Sequence, residues 1–343
     1  MVARGNLAPL GRLKTLRTAV LFVALAVTAF ALPAFLSDFR AQQFAYVGIY
    51  LVALTGLNIL TGYTGQISLG HGAFMAIGGY TTAILMIDHG VKDIVTIPLA
   101  IVVAGVAGVL FGLPAARLSG LYLALATFAI AVATPAVIKK FEGFTGGGSG
   151  VNLFGTPELT ASLTPVKIIG FELNFNNWLY YLSWTVALIG YVMAWLILRG
   201  RTGRAFRAVR DSETAAVSSG ISLTRTKVLA FGISAAYAGA AGALFAIATT
   251  FVNPDTFPVA LSIFLLVGVV VSGLGSLTGL IVGAVFIQFM PLWAQSVSKS
   301  PGAPAVVYGV ILILLILALP GGAAGLISRA LQLTRRGRDF PKS

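Results

Sequence analysis

The sequence predicts an all-α polytopic membrane protein of about ten transmembrane helices, eight at the fewest. Three observations carry that prediction: residues that are 57% hydrophobic and only 10% charged, a mean hydropathy of +0.94, and repeated long apolar runs. A soluble chain of this length carries about 25% charged residues to cover its surface, so this one has too few to face water all round. The same balance excludes disorder, because so apolar a chain can bury more surface than its ordering entropy demands. Forty glycines without a triplet period exclude collagen and suit close helix packing in lipid.

A helix needs about 20 apolar residues to cross the hydrocarbon core. Runs of that kind, bounded by charge, proline or glycine clusters, fall at 18–36, 44–62, 66–87, 94–113, 118–138, 178–198, 228–250, 259–274, 278–297 and 304–326. The third, eighth and ninth are glycine-rich and short or interrupted, which sets the lower count, and the third has the composition of a broken or re-entrant helix. The chain, 1–343, is one transmembrane domain.

Lys and Arg mark the cytoplasmic side of a membrane protein. With the N-terminus inside, 17 of the 23 bases but only three of the ten acids fall on the inner side, a net +14 against −1 outside. That asymmetry predicts two cytoplasmic termini, at 1–17 and in a basic tail at 327–343, in a multi-pass protein of the cell (inner) membrane. A cleaved secretory signal is the competing reading of the first run, since a basic head, an apolar stretch and Ala29-Phe30-Ala31 imitate a cleavage site. Its apolar stretch exceeds the usual length of about 7 to 15 residues, which favours retention. The net charge of +13 reports topology rather than a nucleic-acid partner, because the bases sit in blocks between apolar runs.

Two loops stand out by length. The external one, 139–177, carries Gly143, Gly146, Gly147, Gly148 and Gly150 and ends on Asn174-Phe175-Asn176-Asn177. It is suited to cover an external mouth or to contact an external protein, or it is merely flexible. The cytoplasmic one, 199–227, repeats arginine every third residue at Arg201, Arg204, Arg207 and Arg210, with Phe206, Val209, Glu213 and Ala216 on other parts of the surface and Gly220 as a stop. It predicts one or two short amphipathic helices against the membrane. Membrane lipid alone is one partner for such a helix. The small Ala and Ser residues between the arginines favour a soluble cytoplasmic protein instead.

No enzyme chemistry is legible. Cysteine is absent and the only histidines are His71 and His89, so no cofactor, redox or metal, is expected. Neither Ser68 nor Ser149 lies in GxSxG, and no GxxxxGK[ST] is present. All ten acids lie outside or at the ends of the runs, which removes the intramembrane carboxylate that proton-coupled carriers, pumps and cation channels use. Energy for transport would then enter from a separate chain, or transport would be passive. The polar content within the runs is neutral and gathers in Tyr63-Thr64-Gly65-Gln66-Ile67-Ser68-Leu69-Gly70-His71, continuing to Tyr80. Tyr63, Gln66, Ser68, His71 and Tyr80 are the candidate lining of a solute path. Gln66, Ser68 and His71 share one side if the segment is helical there, and packing through small residues is the competing reading. For the small-residue lines at 232–242 and 268–283, packing is the preferred one.

Ordered stretches of the chain resemble the permease subunits of branched-chain amino acid ABC importers, the LivM type. They are TGYTGQISLGHGAFMAIGGYTTA at 61–83, GLYLALATFAIA at 120–131, TGGGSGV at 145–151, KVLAFGISAAYAGAAGALFA at 227–246, and NPDTF with SIFLLVGVVVSGLGSLTGLIVGA within 253–284. The resemblance covers roughly 40–325. It implies the ABC importer permease architecture, with alternating access driven by ATP on other chains. The implied partners are a second permease subunit, two ATP-binding cassette subunits and an external substrate-binding protein. It also implies that Glu213, Ala215, Ala216 and Gly220 look like the coupling segment that meets the ATPase; Arg204, Arg207 and Arg210 stand as candidates beside them because 204–220 is the only long, basic, helix-forming cytoplasmic segment. Val217 departs from the family pattern, where an acidic residue is expected. A urea or short-amide permease is the alternative within the class, and a passive facilitator or channel the alternative outside it.

Overall fold

The computed structural model describes residues 37–153 and 174–297, with positions 306, 309–311, 313–314, 317 and 322–325. The helices are α1 (Asp38–Leu57), α2 (His71–His89), α3 (Asp93–Ala115), α4 (Gly120–Lys140), α5 (Phe175–Arg199), α6 (Arg201–Asp211), α7 (Glu213–Ser218), α8 (Leu223–Thr249), α9 (Val259–Ser272) and α10 (Leu280–Val297). A π-helical turn, Asn58–Tyr63, extends α1, and a single turn lies at Glu142–Thr145.

Six of these helices are long and apolar enough to cross a membrane, rather than the eight to ten expected: Asp38–Tyr63, Asp93–Ala115, Gly120–Lys140, Phe175–Arg199, Leu223–Thr249 and Pro254–Ser272, the last including a 3-10 turn. Their bounds follow the apolar runs to within six residues. The count is lower for identifiable reasons. The run at 18–36 and most of that at 304–326 lie outside the described residues. The third run starts its helix five residues late, at His71, and the ninth contains an apolar stretch, Leu280–Ser296, short of the required length.

Burial sorts the helices into an inner pair and a shell. In the most apolar window of α1 with its π turn 83% of residues are buried, and in that of α8 67%, against 28% for α3, α4 and α5. α8 packs against α1, α2 and α3, while α5 packs along α1 and touches α8 through Tyr237, whose hydroxyl donates to the Gly190 carbonyl. Small residues make this possible. A Cβ added at Gly78 or at Gly242 would collide with backbone, that of Gly239 and of Met75 respectively, so α2 and α8 touch main chain to main chain. In lipid, where apolar transfer supplies little force between helices, such close approach is what holds them. The 232–242 and 268–283 lines are thus packing seams, as preferred: Gly239 faces Ala100 and Ala104 of α3, and Gly283 faces Gly268 and Ser272 of α9.

A two-stranded antiparallel sheet, β1 (Val151–Asn152) with β2 (Phe251–Val252), ties the glycine-rich loop to the turn after α8. Leu153 N–H also donates to the Thr250 carbonyl at 2.8 Å. The remainder of the long loop, 154–173, lies outside the described residues.

Candidate functional site

The chain leaves α1 through the π turn, then runs without helix from Gly65 to Gly70 before α2 begins. Gly65, at φ +72°, makes the reversal that a side chain would strain. Gln66 N–H donates to the Leu60 carbonyl (3.1 Å) and the Thr61 hydroxyl donates to the Gln66 carbonyl (3.1 Å), pinning the segment back on the turn it has just left. Gln66, Ser68 and His71 therefore do not share a helical face. Of the four glycines over 62–72, a Cβ at Gly62 would strike Asn58 and the Gly275 backbone, one at Gly70 the Thr127 carbonyl and one at Gly72 the Ser262 hydroxyl, while Gly65 lies against the Arg210 stem. That crowding favours an extended entry over a continuous helix.

A helix start inside a membrane leaves backbone N–H groups without intrahelical acceptors. Here side-chain oxygens supply them. Leu69 N–H donates to Thr127 Oγ1 of α4 (2.9 Å), Gly70 N–H to Ser68 Oγ (3.3 Å) and Gly72 N–H to Ser262 Oγ of α9 (2.9 Å). Ser68 is thereby committed to the backbone. Ser262→Ala leaves the Gly72 N–H buried without an acceptor and is expected to cost about 1–3 kcal/mol. Thermal unfolding in detergent beside exposed Ser149→Ala checks this, and equal midpoints would mean that Gly72 N–H has found another acceptor.

Other polar atoms in the region are not spoken for. Gln66 Nε2 and Oε1, His71 Nε2 and the Tyr80 hydroxyl are buried and have no hydrogen-bond partner among the described residues. His71 Nδ1 lies 3.5 Å from Ser234 Oγ of α8. Away from water an unsatisfied polar group costs roughly 1–3 kcal/mol by mutational measures, so these atoms have hydrogen-bonding capacity to spare. The five expected residues do not form one cluster. Tyr63 is half-buried in the π turn, and Tyr80 is nine residues beyond His71 along α2, about 13 Å away. Tyr80 lines a cavity of about 380 Å³ between α2 and α4, with Ala76, Ile77, Ile130, Thr134 and Val137.

Beside the π turn sits the amphipathic pair α6 and α7. Gly203, Phe206, Val209 and Ala216 face inward, and Arg201, Arg204, Arg207 and Arg210 are exposed, as the three-residue spacing predicts. Two arginines are nonetheless engaged within the chain. Arg207 Nη1 donates to the Leu198 carbonyl (3.2 Å), and Arg210 Nη1 to the Gly62 carbonyl (2.6 Å). Ser212 caps α7 by accepting from Ala215 N–H (3.2 Å), and Gly220 ends it at φ +80°. Ala216 is covered by its own chain.

Sequence reading missed four residues that build this region. Asn58, fully buried in α1's extension, donates from Nδ2 to the Ser276 carbonyl (3.0 Å) and accepts from Gly275 N–H (3.0 Å). Lys227, only 4% exposed, meets Glu213 Oε1 at 2.7 Å. Thr127 and Ser262 cap α2. An isolated Asn in an apolar run was the one visible signal; the others look ordinary in sequence.

The model of the family described as branched-chain amino acid transport system / permease component matches residues 40–319. The chain belongs to this family. LivM, the high-affinity branched-chain amino acid transport system permease protein, is 36% identical over 289 residues in Salmonella typhimurium and 35% over 287 in Escherichia coli. Each alignment covers 80% of this chain and 68% of the relative. A probable LivM of Methanocaldococcus jannaschii is 21% identical over 333 residues, 83% of this chain and 93% of that one. No solved structure matches the chain. This permease is a transmembrane transport subunit rather than a catalytic enzyme, and the matched region spans both the polar segment and the α6–α7 pair.

Proposed function

We propose that the chain is the membrane-spanning permease subunit of an ABC importer for branched-chain or closely related amino acids, working by alternating access. ATP hydrolysis resides on two partner ATP-binding cassette subunits, a second permease completes a heterodimer, and an external binding protein delivers the solute. Family membership over 40–319 is the observation that carries this reading. The termini and 199–227 lie in the cytoplasm, 139–177 lies outside, and α6–α7 receives the ATPase, with Arg204 on its free face. The unpartnered groups of Gln66, His71 and Tyr80 face the path, where neutral polar atoms hold a zwitterion loosely enough to release it.

The chain, tagged and purified from its native membranes, is expected to bring down an ATPase with a Walker motif and to support leucine uptake in vesicles. Gln66→Leu and His71→Leu should lower uptake while leaving that ATPase bound. Single cysteines at Ser149 and Ser212 should label with an impermeant thiol reagent from outside and from inside respectively. Uptake that persists without any ATPase would make the chain a passive facilitator, and labelling of position 212 in intact cells would reverse the topology.

A further inference from the structure

Arg210 is exposed, yet its guanidinium reaches from α6 to Gly62 and Gly275. Its Nη1 donates to the carbonyl of Gly62 at 2.6 Å, in the last turn of the helix formed by α1 and its π extension. Carbonyls at a helix end lack intrahelical acceptor duty and carry the negative end of the dipole, so a cation is doubly favoured there. The same Nη1 occupies the space beside Gly275, where a Cβ would come within 2.5 Å of it, in the 273–279 loop joining α9 to α10. The aliphatic stem lies along Gly65, with Cγ 3.4 Å and Cα 3.6 Å from where that residue's Cβ would be. Asn58 closes the junction by bonding both Gly275 N–H and the Ser276 carbonyl. One side chain thus joins α6 to the end of α1, to the entry of the polar segment one residue before Gln66, and to the α9–α10 loop.

We propose that Arg210 is a positioning residue that carries movement of α6 into the polar segment, and not a contact surface for the ATPase. The inference rests on the reading of α6–α7 as the place where the ATPase acts. A push on α6 moves the Gly62 carbonyl through a short, charge-assisted bond, and the Gln66 backbone is bonded to the same π turn at Leu60. Arginine suits the task because its planar fork spans carbonyl and loop at once, whereas the lysine ammonium is a single point. Arg204, six residues earlier on α6, is exposed like Arg210 but has no hydrogen bond from its side chain among the described residues.

The test uses the complete transporter, purified with its ATPase and reconstituted in proteoliposomes with leucine as the probe. Retained ATPase, ATP hydrolysis and leucine uptake are measured on one preparation. Arg210→Gln is expected to retain wild-type amounts of ATPase and to hydrolyse ATP, while leucine moved per ATP falls roughly tenfold or more, within the span of coupling between linked sites. Arg210→Lys should recover part of that ratio. Arg204→Gln should instead lose ATPase and uptake in the same proportion. The proposal is overturned if Arg210→Gln follows the Arg204→Gln pattern, if its leucine-to-ATP ratio is normal, or if neither Arg210 variant accumulates in the membrane, which would assign the bond to folding alone. If the wild-type chain retains no ATPase at all, the functional reading fails, and Arg210 is left without a motion to carry.

Discussion

Gly242→Val is expected to abolish stable protein in the membrane. A Cβ at Gly242 falls on the Met75 carbonyl of α2, and α8 cannot retreat because Gly239, three residues earlier, is pressed against the Ala100 carbonyl and Ala104 of α3. Both α2 and α3 crowd this face of α8 and would have to move for one side chain. Overpacking of a close contact costs about 1–3 kcal/mol where neighbours can shift, and here backbone meets backbone, so the upper end or more is expected. The readout is the yield of monodisperse protein in detergent and its unfolding midpoint. Gly148→Val is the comparison, since Gly148 is exposed with nothing near its missing Cβ, and it should match the wild type. Equal midpoints for the two variants would refute the α2–α8 contact.

The span limits were legible because lipid leaves a helix almost no alternative: every backbone group must be bonded within the segment, so hydropathy and length nearly suffice. The expected 94–113 became Asp93–Ala115, and 178–198 became Phe175–Arg199. Hydropathy fails where the chain departs from that rule. At 65–70 the apolar run continues but the helix does not, because glycines at 62, 65, 70 and 72 admit neighbouring backbone and side chains from α4, α6 and α9. Nothing local to Gly70 indicates that the Thr127 carbonyl will lie against it. Likewise Lys227 was read as the last base of a polar loop, whereas α8 begins at Leu223 and carries that lysine inside. A buried lysine becomes tolerable only with a counter-charge fourteen residues earlier, and pairing at that range leaves no trace in periodicity. The arginine repeat of α6 was legible as an amphipathic surface, while the inward reach of Arg210 depended on glycines in two other segments.

Glu213→Gln is expected to unseat α7, and a second substitution should restore it. Glu213 opens α7 and its carboxylate meets Lys227 of α8 at 2.7 Å, with the lysine only 4% exposed and the glutamate 47% exposed. Removing the acid strands a buried ammonium. For fully buried pairs that costs about 3–5 kcal/mol, and because water reaches the glutamate here about half of that is expected. The loss concentrates in α7, which has only six residues and a single covered side chain, Ala216, to hold it against the bundle. Lys227→Met removes the stranded charge while keeping the aliphatic bulk, so Glu213→Gln with Lys227→Met should recover most of the stability that Glu213→Gln loses. Protease accessibility of 212–222 in open membranes reads α7 directly, and the detergent unfolding midpoint reads the whole. A double variant as sensitive as Glu213→Gln alone would show that the glutamate acts through something other than Lys227.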